Sequence, residues 1–113
     1  MTDLVDRRCK PCEGGVEPLA ADAVAELLPA LHADWQLAPD GRSISRTFRF
    51  PAYGWTIAFS NAVAWIATTE GHHPRMTVDY GLCTVLFTTN AIGGLSDNDF
   101  ICASKVDRIA ADV

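Results

Sequence analysis

The chain has little that would carry it into a membrane or onto a nucleic acid. Its longest apolar stretches are broken by Ser60-Asn61 and by threonines, and no hydrophobic run follows Met1-Thr2-Asp3-Leu4-Val5-Asp6-Arg7-Arg8. Neither a spanning helix nor a signal peptide is expected, so the protein reads as soluble and cytoplasmic. Basic residues are also short. Nine Lys and Arg against fourteen Asp and Glu leave a net charge of −5, with no basic cluster beyond Arg7-Arg8-Cys9-Lys10. Direct nucleic-acid binding is disfavoured. Cysteine is sparse, at four residues. Cys9-Lys10-Pro11-Cys12 is a CxxC, but a structural zinc site wants four ligands, and a second CxxC or an HxxxH pair is missing. Local packing near the terminus is favoured there over a metal or redox site. Cys83 and Cys102 fall in strand and helix patterns, as small hydrophobic residues do. No serine or cysteine has a plausible base beside it in sequence, which argues against covalent catalysis.

What is present is enough for one domain. At 113 residues and 49% hydrophobic, the core is large enough to fold but near the size where assembly adds stability, so a homo-oligomer is expected. Residues 1–18 carry Gly14-Gly15, Pro11 and Pro18 without periodicity and read as an irregular arm; residues 19–113 read as a single domain. Leu19, Val24, Leu27, Leu28 and Leu31 outline a first helix from near Ala20, which Pro29 should kink or shorten. Trp35-Gln36-Leu37-Ala38 and the alternating Ile44-Ser45-Arg46-Thr47-Phe48-Arg49-Phe50 read as strands across the Pro39-Asp40-Gly41 turn. A main core helix follows over 52–69, with Trp55, Phe59, Ala62, Val63 and Ile66 as its inward stripe. Two more strands flank the Tyr80-Gly81 turn, the second of them, 82–89, being the most apolar. Ser96 and Asp99 form a capping-box variant that opens a last helix to about Ala110, with Cys102, Val106 and Ile109 on one face. Short connections demand antiparallel pairing. Three helices on a four-stranded sheet must therefore lie mostly on one face, giving an α+β sandwich.

The chemistry concentrates at Thr69-Glu70-Gly71-His72-His73-Pro74 and at Thr88 to Ser96. Two of only three histidines stand side by side at an element boundary, punctuated by Gly71 and Pro74. If the strand from Leu82 pairs beside the strand from Arg75, both stretches border one pocket. That pocket would hold two imidazoles, an amide and exposed backbone donors, with Asp79 or Asp99 as orienter. Imidazoles exchange protons near neutrality, so the residues point to proton transfer on a small polar molecule. Metal binding is a weaker reading, because sequence neighbours rarely converge on one ion. Two surface histidines interacting with a helix dipole are the plain alternative.

From Leu19 to Ile109 the chain resembles the pterin-4a-carbinolamine dehydratases. The specific residues are Glu70-Gly71-His72-His73-Pro74, Tyr80 seven residues beyond His73, and Gly93-Gly94-Leu95-Ser96 followed by Asp99. The run Asn98-Asp99-Phe100-Ile101 resembles the bacterial branch. The resemblance implies a four-stranded antiparallel sheet with helices on one face, assembled as a homodimer or homotetramer. It also implies dehydration of 4a-hydroxytetrahydropterin to quinonoid dihydropterin without metal or cofactor. By position, His72 and His73 are then catalytic, and Glu70, Pro74, Asn90 and Asp99 bind substrate. The family's third histidine falls on Asn90, and the acid that some members carry four positions before the pair falls on Thr68. Asparagine cannot exchange a proton near neutrality. A second expectation follows from that change: dehydratase-like proteins of carbon-fixing bacteria resemble assembly factors for RuBisCO, which would make RuBisCO subunits the partner.

Overall fold

The computed structural model describes residues 3–11 and 14–111. Its regular elements are α1 (Ala21–Leu27), β1 (Gln36–Leu37), β2 (Ile44–Arg49), α2 (Tyr53–Glu70), β3 (Arg75–Val78), β4 (Leu82–Phe87) and α3 (Asp97–Ala110). The strands form one antiparallel sheet in the order β1-β2-β4-β3. The expected α+β architecture is therefore the observed one. Alternation explains its two faces. Ile44, Phe48, Cys83, Val85 and Phe87 point into the core, whereas Thr47 and Arg49 point out to solvent. The helices complete that core on the same side, through Val24 of α1, Phe59, Val63 and Ile66 of α2, and Phe100, Ile101 and Val106 of α3.

Local chemistry sets the element ends. Pro29 cannot continue an α-helix, and α1 passes into a 3-10 turn, Leu28–Ala30, one residue before it. Gly41 takes φ 72° in the turn between β1 and β2, a conformation that costs glycine little. Arg46 is the charged residue on the inward face of β2. Its guanidinium donates to Asp107 Oδ1 of α3 at 2.7 Å and lies over the Phe48 ring, 4.3 Å from its centroid. The same carboxylate oxygen accepts the Trp35 indole N–H at 2.7 Å. This trio ties α3 to the β1–β2 hairpin.

On α2 the inward stripe is rotated from the one that spacing suggests. The buried residues are Thr56, Phe59, Ser60, Val63, Ile66 and Ala67. Trp55, expected inside, is 63% exposed, and Ala62 is half-buried. The reason is that small hydroxyl side chains can face the sheet once their hydrogens find carbonyls. Thr56 Oγ1 donates to Tyr80 O at 2.8 Å and Ser60 Oγ to Thr56 O at 2.8 Å. Apolarity alone could not distinguish the two sides of a helix that carries aromatics all round. Trp55, Trp65, Tyr53 and Tyr80 are left exposed, the two tyrosine rings stacked 6.3 Å apart.

Phe59 packs against Phe48 and Phe50, at 4.6 and 5.1 Å between ring centroids. Phe59→Ala is expected to cost about 3–5 kcal/mol in chemical denaturation, the range for emptying a buried aromatic site. Thr56→Val keeps the shape and loses the bond to Tyr80 O, so its expected cost is about 1–2 kcal/mol.

Candidate active site

The histidine pair owes its geometry to the end of α2. Gly71 adopts φ 68°, and the His72 N–H reaches back to Ala67 O at 3.1 Å, which closes the helix and turns the chain toward α3. The next residues are not helical, so successive side chains diverge. His72 is buried at 7% exposure, and His73 is exposed. Both nevertheless border one cleft of about 250 Å³, together with Gly71 and the run Thr88 to Ala91. The strand arrangement that this requires is present, since β3 pairs with β4.

Behind His72 lies Asp99, which has no exposed surface. His72 Nε2 and Asp99 Oδ1 are 2.6 Å apart. Asp99 Oδ2 accepts the Thr89 hydroxyl at 2.8 Å and the Ser96 N–H at 2.9 Å. A carboxylate only accepts, so Nε2 is the donor to Oδ1. Thr89 has one hydroxyl hydrogen and gives it to Asp99; the 2.7 Å contact between Thr89 and Ser96 hydroxyls is therefore donated by Ser96. The hydrogens thus all point toward Asp99, from Ser96 through Thr89 on one side and from His72 on the other. Phe87 stacks 6.1 Å from the His72 ring at an 11° interplanar angle and closes the apolar side. Asp79, the alternative orienter, is exposed and accepts the Tyr80 N–H beside it.

Of the six residues expected at the site, His72, His73 and Asn90 border the cleft. Asn90 is exposed there, in a 3-10 turn over Asn90–Ile92 that follows β4. Pro74, Asp99 and Glu70 do not line it. Pro74 is half-buried where the chain enters β3. Asp99, expected against substrate, touches His72 instead because it is sealed under the capping turn of α3. Glu70, also expected against substrate, is held by the N-terminal arm. Arg8 Nε is 2.8 Å from its Oε2, the Cys9 N–H donates to Oε1 at 2.8 Å, and Lys105 Nζ lies at 3.6 Å. Thr89 lies in the stretch that the sequence marks out but has no role assigned to it there, although it continues the inward alternation of Cys83, Val85 and Phe87 by one step. A polar residue in that series is a signal. Among the described residues, no group of three or more His, Cys, Asp or Glu could hold a metal ion. Cys12 lies outside the described residues.

Residues 17–109 match the family model described as pterin 4 alpha carbinolamine dehydratase. The chain belongs to the pterin-4a-carbinolamine dehydratase family. Relatives provisionally named as such dehydratases bear this out. The protein from Nitrosomonas eutropha is 60% identical over 107 residues, covering 95% of this chain and 93% of its own length. One from Legionella pneumophila strain Corby is 44% identical over 98% of both chains. Among solved structures, the transcriptional coactivator/pterin dehydratase from Brucella melitensis superposes with a TM-score of 0.78 at 28% identity, over 83% of this chain and 99% of that one. A pterin dehydratase-like protein identified as a RuBisCO assembly factor in the alpha-carboxysome gives a TM-score of 0.60 at 21% identity, over 70% of this chain and 92% of that one. This second likeness is one of fold. No helix among the described residues is long and apolar enough to cross a membrane.

Burial raises the Glu70 carboxyl, but the Cys9 N–H, Lys105 and Arg8 outweigh burial and hold it below its ordinary value. A carboxyl depressed in the folded state adds stability that is complete above its unfolded pKa and fades as pH falls through the folded one. In denaturation series from about pH 7 to about pH 3, Glu70→Gln should be less stable than wild type at neutrality and lose less on acidification.

Proposed function

We propose that the cleft binds a tetrahydropterin carrying a 4a-hydroxyl and removes that group as water, leaving quinonoid dihydropterin. The observation that carries this reading is the pairing of an exposed His73 with a buried, Asp99-oriented His72 on one cleft that Asn90 also borders. The reaction takes a proton from N5, breaks the bond from C4a to the hydroxyl oxygen, and protonates the departing hydroxide. It needs two proton-transfer groups and no metal. His73 is the imidazole that a bound pterin can meet directly. His72 is the second, its ring held by Asp99 so that it need not reorganise. Asn90 holds the substrate by hydrogen bonds and takes no part in proton exchange. We also read the protein as cytoplasmic, and as a homodimer or homotetramer that covers its exposed aromatics.

One observation favours a second reading. Asn90 falls, by position, where the family's third histidine is expected; in the alternative the cleft is a retained scaffold without turnover, and the protein assists assembly of RuBisCO.

Dehydration of synthetic 4a-hydroxytetrahydropterin, followed by stopped-flow absorbance, separates the two. The expected result is a wild-type rate well above buffer that falls by about 10²–10⁴ in His73→Ala, the usual contribution of a general acid or base. Asn90→His should raise the rate. A wild type no faster than buffer overturns the proposal, and retention of RuBisCO subunits on the immobilised protein would then establish the alternative.

A further inference from the structure

The dehydratase reading makes no use of the N-terminal arm, yet the arm is fastened to the rear of the site at several points. Asn98 of α3 grips Lys10 in both directions, its Oδ1 accepting the Lys10 N–H at 3.0 Å and its Nδ2 donating to Lys10 O at 2.6 Å. Arg8 donates to Thr69 O at 3.1 Å, and Lys105 Nζ to Val5 O at 3.0 Å. Leu4, in a 3-10 turn over Leu4–Asp6, is buried in the core. These contacts place two thiols against each other. Cys9 Sγ lies 3.4 Å from Cys102 Sγ, and both cysteines are free. Cys102 is one helical turn beyond Asp99, and its sulfur is 3.9 Å from the carbonyl of His72.

We propose that Cys9 and Cys102 are a reversible disulfide site that fastens the arm to α3 directly behind the His72–Asp99 pair. The sulfurs must close by about 1.3–1.4 Å to bond. The movement can come from Cys9, which lies in irregular arm backbone, while Cys102 is fixed in α3. The two thiols also differ in access: Cys9 is half-buried and Cys102 fully buried. Cys9, the more accessible thiol, is therefore the first to attack, and the hydrogen bond with Cys9, together with burial, pushes the Cys102 thiol well up from its ordinary value in the reduced pair. With a small disulfide such as oxidised glutathione as the oxidant, the Cys9 thiolate attacks one glutathione sulfur and releases a glutathione thiolate. With the Cys9 thiol consumed in the mixed disulfide, Cys102 gives up its proton, its thiolate attacks the Cys9 sulfur, and the second glutathione leaves as a thiolate that takes up that proton. Two protein thiols are oxidised and one glutathione disulfide is reduced to two thiols. The link would span 93 positions of sequence, a loop long enough to constrain the unfolded chain strongly. A thiol-rich cytoplasm would keep the pair reduced, and oxidising conditions would close it.

The test is incubation of the full chain with oxidised glutathione, followed by intact mass and peptide mapping. The expected product is two hydrogens lighter and carries a Cys9–Cys102 crosslink that dithiothreitol reverses. The crosslink should persist in Cys12→Ser and Cys83→Ser and be absent from both Cys9→Ser and Cys102→Ser. The arm variant Cys9→Ser keeps the test open should the core variant fail to fold. Tryptic cleavage after Arg7 and Arg8 should slow by about tenfold in the oxidised protein, because cleavage follows the population of the detached arm. A Cys9–Cys12 link, a glutathione adduct left on Cys9, or two unmodified thiols would each overturn the proposal.

Discussion

The buried carboxylate of Asp99 is the constraint on which the arrangement of the site depends. A carboxylate without exposed surface is tolerated only when its oxygens are supplied with donors, and here they come from three separate places in the chain. Ser96 belongs to the start of α3, Thr89 to the end of β4, and His72 to the exit of α2. Satisfying one charge therefore fixes the mutual position of three elements. The same interaction caps α3, where a negative charge is also favoured by the helix dipole. The fold and the chemistry of the site cannot be altered independently at this residue.

The fold supplies that constraint at two levels. The alternation of β4 carries Cys83, Val85 and Phe87 inward and so delivers Thr89 to the same side as α3. The left-handed Gly71 ends α2 abruptly enough for His72 to be buried and His73 exposed on the same cleft. A residue with a side chain at position 71 would be strained in that conformation, although the space beside it is open. The glycine is needed for backbone direction, and the two imidazoles acquire different environments from that one turn.

Much of this was legible in the sequence because it is written in local patterns. Ile44, Phe48 and Phe50 gave the inward face of β2, Ser96 and Asp99 the start of α3, and Pro29 the end of α1. The histidine pair was legible through its punctuation. What could not be read were relations between distant segments. Glu70 looks like a site residue by adjacency to His72, and its capture by Arg8, Cys9 and Lys105 depends on an arm that carries no periodicity. Trp55 looks like core by apolarity, and loses its place to Thr56 because a carbonyl from the β3–β4 turn happens to accept the threonine hydroxyl. In both cases a hydrogen bond between residues far apart in sequence overrode a sound local pattern.

Asn90 lies outside the buried network around Asp99. It is exposed, it sits in a short turn after β4, and none of the donors to Asp99 comes from it. Exchange between asparagine and histidine there leaves the buried network as it stands, so the fold exerts little restraint on the choice. The side chain at this position can change with stability a minor consideration. The buried half of the site answers to the opposite rule, because changing Asp99 or Thr89 strands donors in the core. An intact His72–Asp99 pair is thus required by the architecture, whereas the exposed His73 and Asn90 can be exchanged without disturbing it.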